Sequence, residues 1–222
     1  MERHFDQELE KLNNRILKMG KLVESQITDT MQALLNCDVE LAGRIIENDN
    51  QVDVLDVKID KLCQRIFALS QPVASDLRLI MAALKINNDL ERLGDLGVTI
   101  AKKIEAISEF KDVIVELNID TLANMSEILV KDCINILTTR NVTFIRDIFE
   151  SAATLKDKVQ QTSNRIIDEM MNKTDVVVVA TNLMLIISQM ERIAGYSTNI
   201  AESVYFLVEG KIVKHTKYFE LT

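Results

Sequence analysis

The segment LERLGDLGVTIA (residues 90–101) returns, altered, as MERIAGYSTNIA at residues 190–201. Glu91, Arg92, Ile100 and Ala101 recur as Glu191, Arg192, Ile200 and Ala201, while Leu90 and Leu93 become Met190 and Ile193. The offset of 100 residues is close to half of a 222-residue chain. Self-similarity at such a spacing is the mark of an internal repeat. The first copy also holds two carboxylates, Glu91 and Asp95, four apart among apolar neighbours. A helix core does not ordinarily tolerate them, so they bear on function as well as fold.

Working outward, the chain reads as long helices. One proline, six glycines and no tryptophan leave few breakers and argue against a β-sandwich. Phe5, Leu9, Leu12, Ile16, Met19, Val23 and Ile27 recur at steps of three and four, an amphipathic helix of roughly 30 residues. Asp38 is placed to cap a second helix with the stripe Ile45, Val52, Leu55, Ile59, Leu62, Ile66 and Leu69. Pro72 marks the start of a third, since proline suits a first helical turn; it should run to the neighbourhood of Ile107.

The pattern lapses across SEFKDVIVELNID (108–120) and then repeats in the same order. One helix covers LANMSEILVKDCINILTT (122–139), a second runs from an Asn141 cap to about Met171, and a third from about Asp175 to Val208, with Gly210 as its stop. The expected fold is therefore all-α: two tandem, pseudo-symmetric three-helix bundles built from six long helices, over residues 1–110 and 111–222.

Composition narrows the function. Hydrophobic residues make up 47% and charged residues 27%, as in a folded soluble protein. Thirty-four acidic against 26 basic residues give a net charge of −8. With no basic block, nucleic acid is a poor partner; cations or a partner's basic surface suit it better. Cys37, Cys63 and Cys133 form no CxxC pair, which fits buried thiols in a reducing cytoplasm. MERHFDQELEKL lacks the apolar centre of a signal peptide. The run VVVVATNLMLII (176–187) is interrupted by Thr181 and Asn182 and is too short to span a bilayer. A membrane would be reached only through partner proteins.

On the third helix Leu77, Ile80, Leu84 and Val98 share a face. At about 100° per residue, Glu91 and Asp95 fall within roughly 40° of its centre. Ile86, Leu93 and Ile100 form a second apolar face, so the helix should be sandwiched and the carboxylates at least partly enclosed. Enclosing two ionised carboxylates costs on the order of several kcal/mol each unless protons, arginines or a metal offset it. Arg92 points about 100° away from Glu91, and Lys102 lies nearly two turns beyond Asp95.

The second helix supplies more acid. Asp49, Asp53, Asp56 and Asp60 recur at steps of four, three and four. Residues 53 and 91 each lie 19 positions from Pro72, so in a hairpin Asp49 and Asp53 come level with Glu91 and Asp95. Four hard oxygen donors from two helices suit a cation, or several bridged cations. The plainer alternative is an exposed acidic stripe and an Arg-paired Glu91. His4 and His215 are the only histidines, which argues against a di-iron oxidase built on Glu-x-x-His pairs. No GxGxxG, GxxxxGK[ST] or GxSxG occurs, and no nucleophile with an adjacent base is visible. The chain does not read as an enzyme. The methionines, Met81, Met170, Met171, Met184 and Met190 among them, read as core filling.

RHFDQELEKL (3–12), QPVASDLRLIMAALKINNDLERLGD (71–95) and MERIAGYSTNIAESVYFLVEGKIVKH (190–215) together resemble the PhoU family, the phosphate-signalling accessory proteins of bacteria. The resemblance covers nearly the whole chain in order. It implies a six-helix protein of two three-helix bundles, a cytoplasmic homodimer and not an enzyme. It further implies a negative regulator of the phosphate-starvation response, linking the ATPase subunit of the phosphate ABC transporter to a sensor histidine kinase.

Some members of the family hold iron, zinc or magnesium through E/D-x-x-x-D motifs, one pair per bundle. Asp49–Asp53 and Glu91–Asp95 match the first pair. In the second bundle Glu150 and Glu191 stand in place, but Thr154 and Gly195 replace the partner carboxylates, with Tyr196 following. The resemblance thus implies a divalent or trivalent metal in the first bundle and a depleted second site. The rival readings are a helical storage protein whose metal is cargo, and a metal-free scaffold.

Overall fold

The computed structural model describes residues 2–69 and 72–213. They form an all-α protein in which no strand is found among the described residues. The long helices are α1 (Glu2–Asn36), α3 (Asn50–Leu69), α4 (Ala74–Ile107), α6 (Ile119–Thr139), α7 (Ile145–Asn172) and α8 (Val177–Glu209). Two short ones, α2 (Val39–Asn48) and α5 (Lys111–Glu116), join them, and single 3₁₀ turns precede α7 and α8.

The expected stripes face inward. Leu12, Ile16, Met19, Val23 and Ile27 of α1 are buried, as are Ile45, Val52, Leu55, Ile59, Leu62 and Ile66 of α2 and α3. The Leu69 side chain lies outside the described residues. Helix ends follow local chemistry. The Asp38 carboxylate accepts from the Leu41 N–H at 2.9 Å and caps α2. Asn141 accepts from the Thr143 N–H at 3.1 Å, and Gly210 ends α8 with φ 70°, a left-handed conformation glycine adopts without steric cost.

Four details depart from the sequence reading. The second helix is two helices, because at Asp49 the backbone ladder tightens: the Val52 N–H bonds back three residues to the Asp49 carbonyl at 2.9 Å. Pro72 precedes α4 rather than opening it, since Val73 is the cap and Ala74 the first helical residue. The lapse at 108–120 contains α5. Met81 and Met171 are exposed, 41% and 79%, rather than in the core.

α1, α3 and α4 pack as one three-helix bundle and α6, α7 and α8 as another. The bundles share one continuous core through α4 against α8 and α1 against α6. Lys85 lies over the Phe206 ring at 5.6 Å, and Arg78 borders Gly210. The start of α4 therefore meets the end of α8, and the two run antiparallel. α8 contains the apolar run 176–187 and has the length and composition to cross a membrane, with mean hydropathy 1.4. Half of that apolar window is nevertheless buried within the protein, as in a core helix.

Candidate metal centre

α4 is the inner helix of the first bundle, flanked by α1, α2, α3 and α8. Its two apolar faces are both used: Ile80 and Val98 are buried on one, Ile86, Leu93 and Ile100 on the other, while Leu77 near the helix start is 38% exposed. Gly94 and Gly97 let α1 and α3 approach. A Cβ on Gly94 would stand 3.3 Å from Gln26 Oε1 and 3.6 Å from Asp49 Oδ1. One on Gly97 would stand 3.1 Å from Thr30 Oγ1 and 3.3 Å from Ile27 Cδ1.

The Asp49 carboxylate thus lies over α4 beside Asp95, at the height the equal hairpin arms require. Gln26 Nε2 of α1 donates to Asp49 Oδ1 at 2.9 Å. Burial raises the Asp49 carboxyl above its ordinary value, the Gln26 hydrogen bond opposes this, and the charges of Asp53 and Asp95 raise it further against Lys102. Glu91 is likewise raised, first by burial, then by Asp95, with Arg92 opposing and Asp56 and Asp53 adding repulsion. The four carboxylates Asp49, Asp53, Glu91 and Asp95 therefore share one electrostatic neighbourhood. The Glu91 and Asp95 side chains are 23% and 44% exposed, and Asp53 is exposed.

Arg92 departs from the expectation that it points away. Its Nε lies 3.3 Å from Glu91 Oε2 and its Nη1 3.2 Å from Asp95 Oδ2. The 100° separation holds for the Cβ atoms; the long side chain folds back over the helix surface to reach both acids. Among the described residues, no three His, Cys, Asp or Glu side chains are drawn together closely enough to hold a metal ion in this arrangement. The donor chemistry nevertheless fits a hard cation: of four carboxylates, two with raised proton affinity, only Glu91 and Asp95 pair with Arg92.

The second bundle is different. Glu150 pairs with Arg146 at 2.9 Å on the exposed face of α7, and the Thr154 hydroxyl donates to the Glu150 carbonyl at 2.8 Å. Glu191 is exposed, and a Cβ on Gly195 would meet nothing within 4 Å. The described cysteines are free thiols; burial pushes Cys63 to about 12 and raises Cys133, which suits packing and not ligation. Sequence reasoning passed over Gln26 and Asn87. A glutamine on the edge of an apolar stripe carries no signal of its own, but Asn87, whose amide donates to the Asp56 and Asp60 carboxylates, sits on the α4 face that also carries Glu91.

The PhoU domain family model matches residues 16–104 and 119–204, one copy in each bundle. The chain belongs to the PhoU family. The phosphate-specific transport system accessory protein PhoU of Serratia marcescens is 31% identical over 95% of this chain and 87% of its own length. A PhoU homolog of Clostridium acetobutylicum is 32% identical over 94% and 96%. The crystal structure of PhoU from Pseudomonas aeruginosa superposes with TM-score 0.87 at 28% identity, covering 93% of this chain and all of that one. The phosphate transport system regulatory protein PhoU from Streptococcus pneumoniae superposes with TM-score 0.85 at 28% identity, covering 95% and 99%.

Proposed function

We propose that this protein is an accessory of a phosphate-specific transport system and a negative regulator of the phosphate-starvation response, not an enzyme. One observation carries the reading: both PhoU repeats are present, in order, and the match, over 94–95% of this chain, is to proteins named as accessories of that system. Its working form is a cytoplasmic homodimer that engages the ATPase subunit of the phosphate transporter and a phosphate-sensing histidine kinase. A bundle of packed helices transmits a signal only by binding two states of a partner unequally. Here it favours the kinase's phosphatase state when phosphate is plentiful.

In this reading Asp49, Asp53, Glu91 and Asp95 hold a divalent or trivalent cation (Fe, Zn, Mn or Mg), which neutralises four carboxylates of which Arg92 pairs with only Glu91 and Asp95. The raised proton affinity of Asp49 and Glu91 supports this, since enclosed acids attract whatever positive charge is on offer. Gln26 holds Asp49 toward the seam.

The test is phosphate repression in cells lacking the gene, with a pull-down of the tagged protein from cells grown in rich phosphate. Constitutive expression of phosphate-starvation genes and co-purification of the transporter ATPase and the kinase are expected. Normal repression in the deletion strain overturns the regulatory role.

A further inference from the structure

The seam where α4 of the first bundle meets α8 of the second opens into a cavity of about 210 Å³. Lys85 and Asp89 of α4 line it with Asn199, Glu202 and Phe206 of α8, together with Val213 from the chain beyond α8. Asp89 is 8% exposed, an enclosed acid at the joint between the bundles, and Glu202 is half-buried. Two carboxylates against one ammonium leave the lining net negative, and that ammonium, of Lys85, lies over the Phe206 ring. A partly enclosed lining of this sign suits a positively charged side chain.

The course of the chain leads into this cavity. Gly210 ends α8 with φ 70°, beside Arg78 near the start of α4. Three residues on, Val213 shares the cavity wall with Asn199 and Glu202, so the chain has reversed and runs back toward the middle of α8. Ile212 is 73% exposed and Val213 4%. That is the alternation of an extended segment, whose side chains point out and in by turns. The described residues end at Val213, and the sequence goes on Lys214, His215, Thr216, Lys217. Continued, the alternation turns Lys214 outward and His215 inward. At about 3.3 Å per residue, the step from Val213 to His215 covers roughly 7 Å, within the roughly 10 Å along α8 from Phe206 to Asn199. The first repeat offers a parallel. Lys111 and Val113 stand 100 residues before Lys211 and Val213, and there the stretch beyond α4 packs back on the protein with Ile114 and Leu117 buried.

We propose that the α4–α8 cavity is the docking site of the chain's own C-terminal segment, with His215 entering beside Asp89 and Lys214 reaching Glu202 from outside. The match is one of charge and of reach: a basic segment leaves Val213 where the lining is acidic. Asp89 belongs to the first bundle and Glu202 to the second, so a segment held by both straps the bundles together across their seam. The strap involves none of the carboxylates of the candidate metal centre and depends on neither the cation nor the regulatory role.

The experiment is zero-length carbodiimide crosslinking of the unaltered full-length protein, which joins a lysine to a carboxylate in contact with it. Peptide mass spectrometry of the single-chain band from a denaturing gel is expected to show Lys214 joined to Glu202. A second arm follows trypsin cleavage after Lys214, each rate taken relative to a free peptide of the same sequence. Cleavage of a docked segment tracks the fraction of time it is open. His215→Ala is expected to speed it by about tenfold, while Thr216→Ala, at an outward position, leaves it unchanged. Three results overturn the proposal. One is absence of the Lys214–Glu202 crosslink. Another is its appearance only in the band of doubled mass, which gives the cavity to the segment of a second copy. The third is cleavage as fast as in the peptide and indifferent to His215→Ala, which leaves the cavity open to a basic segment of another protein.

Discussion

Gln26 Nε2 lies 2.9 Å from Asp49 Oδ1, joining α1 to the junction of α2 and α3. The bond satisfies one carboxylate oxygen at the point where the backbone ladder is broken, and it ties the outer helix hairpin to the first helix. Gln26 is half-buried, so the bond is neither fully solvated nor fully dry.

Replacing Gln26 with Leu removes the donor and leaves the acid enclosed. We expect a loss of about 1.5 kcal/mol at pH 7, toward the low end for a hydrogen bond to a charged group because water reaches the site. Urea denaturation measures it. The deficit shrinks at acid pH, where Asp49 carries a proton and needs the amide less.

Stability in the absence of metal should fall as pH rises. Asp49, Asp56 and Glu91 all bind protons more tightly when folded than their ordinary values of 3.8, 3.8 and 4.5 imply, mainly because they are partly buried and secondarily because neighbouring carboxylates, Asp53 beside all three, repel their charge. The folded state then holds more protons than the unfolded state across the interval above those values. Their contribution is complete below the ordinary values and is lost as pH climbs through the raised ones. Melting temperature in chelator is expected to decline from mildly acid toward neutral pH. Glu91→Gln, which removes one charge, flattens the slope. A melting temperature that rises over the same interval and is indifferent to Glu91→Gln contradicts this.

Two helical glycines that look alike in sequence should respond oppositely to alanine. At Gly97 a methyl group would press on Thr30 Oγ1 at 3.1 Å and Ile27 Cδ1 at 3.3 Å, forcing α1 away from α4. Gly97→Ala is expected to cost about 1–3 kcal/mol. At Gly195 nothing lies within 4 Å of the added atom, and the residue sits inside α8. Gly195→Ala is expected to stabilise by up to about 1 kcal/mol through helix propensity. Thermal melts of the pair decide both.

The helices were legible because their stripes repeat at a regular step and because Asp38, Asn141 and Gly210 announce their ends. The hairpin register was legible too: equal arms about Pro72 place Asp49 beside Asp95, and the structure sets the Asp49 carboxylate over Gly94. The break at Asp49 was not, since Val52 and Ile45 belong to one stripe whether or not the backbone ladder tightens between them. The Arg92 contacts were missed for a different reason. A helical wheel gives the direction of Cβ, while a guanidinium works several ångströms farther out. Gln26 and Asn87 act across helices, and periodicity within one helix is silent about the polar groups a neighbour will bring.

In the proposed reading the seam formed by Asp49, Asp53, Glu91 and Asp95 takes up a cation. Titration of the chelator-washed protein with Mn²⁺ or Fe²⁺, beside the Asp49→Ala/Glu91→Ala variant, tests it most directly. The variant is expected to lose the tightest class of bound metal while keeping its helical fold. Uptake of equal affinity and amount in the two proteins would contradict it.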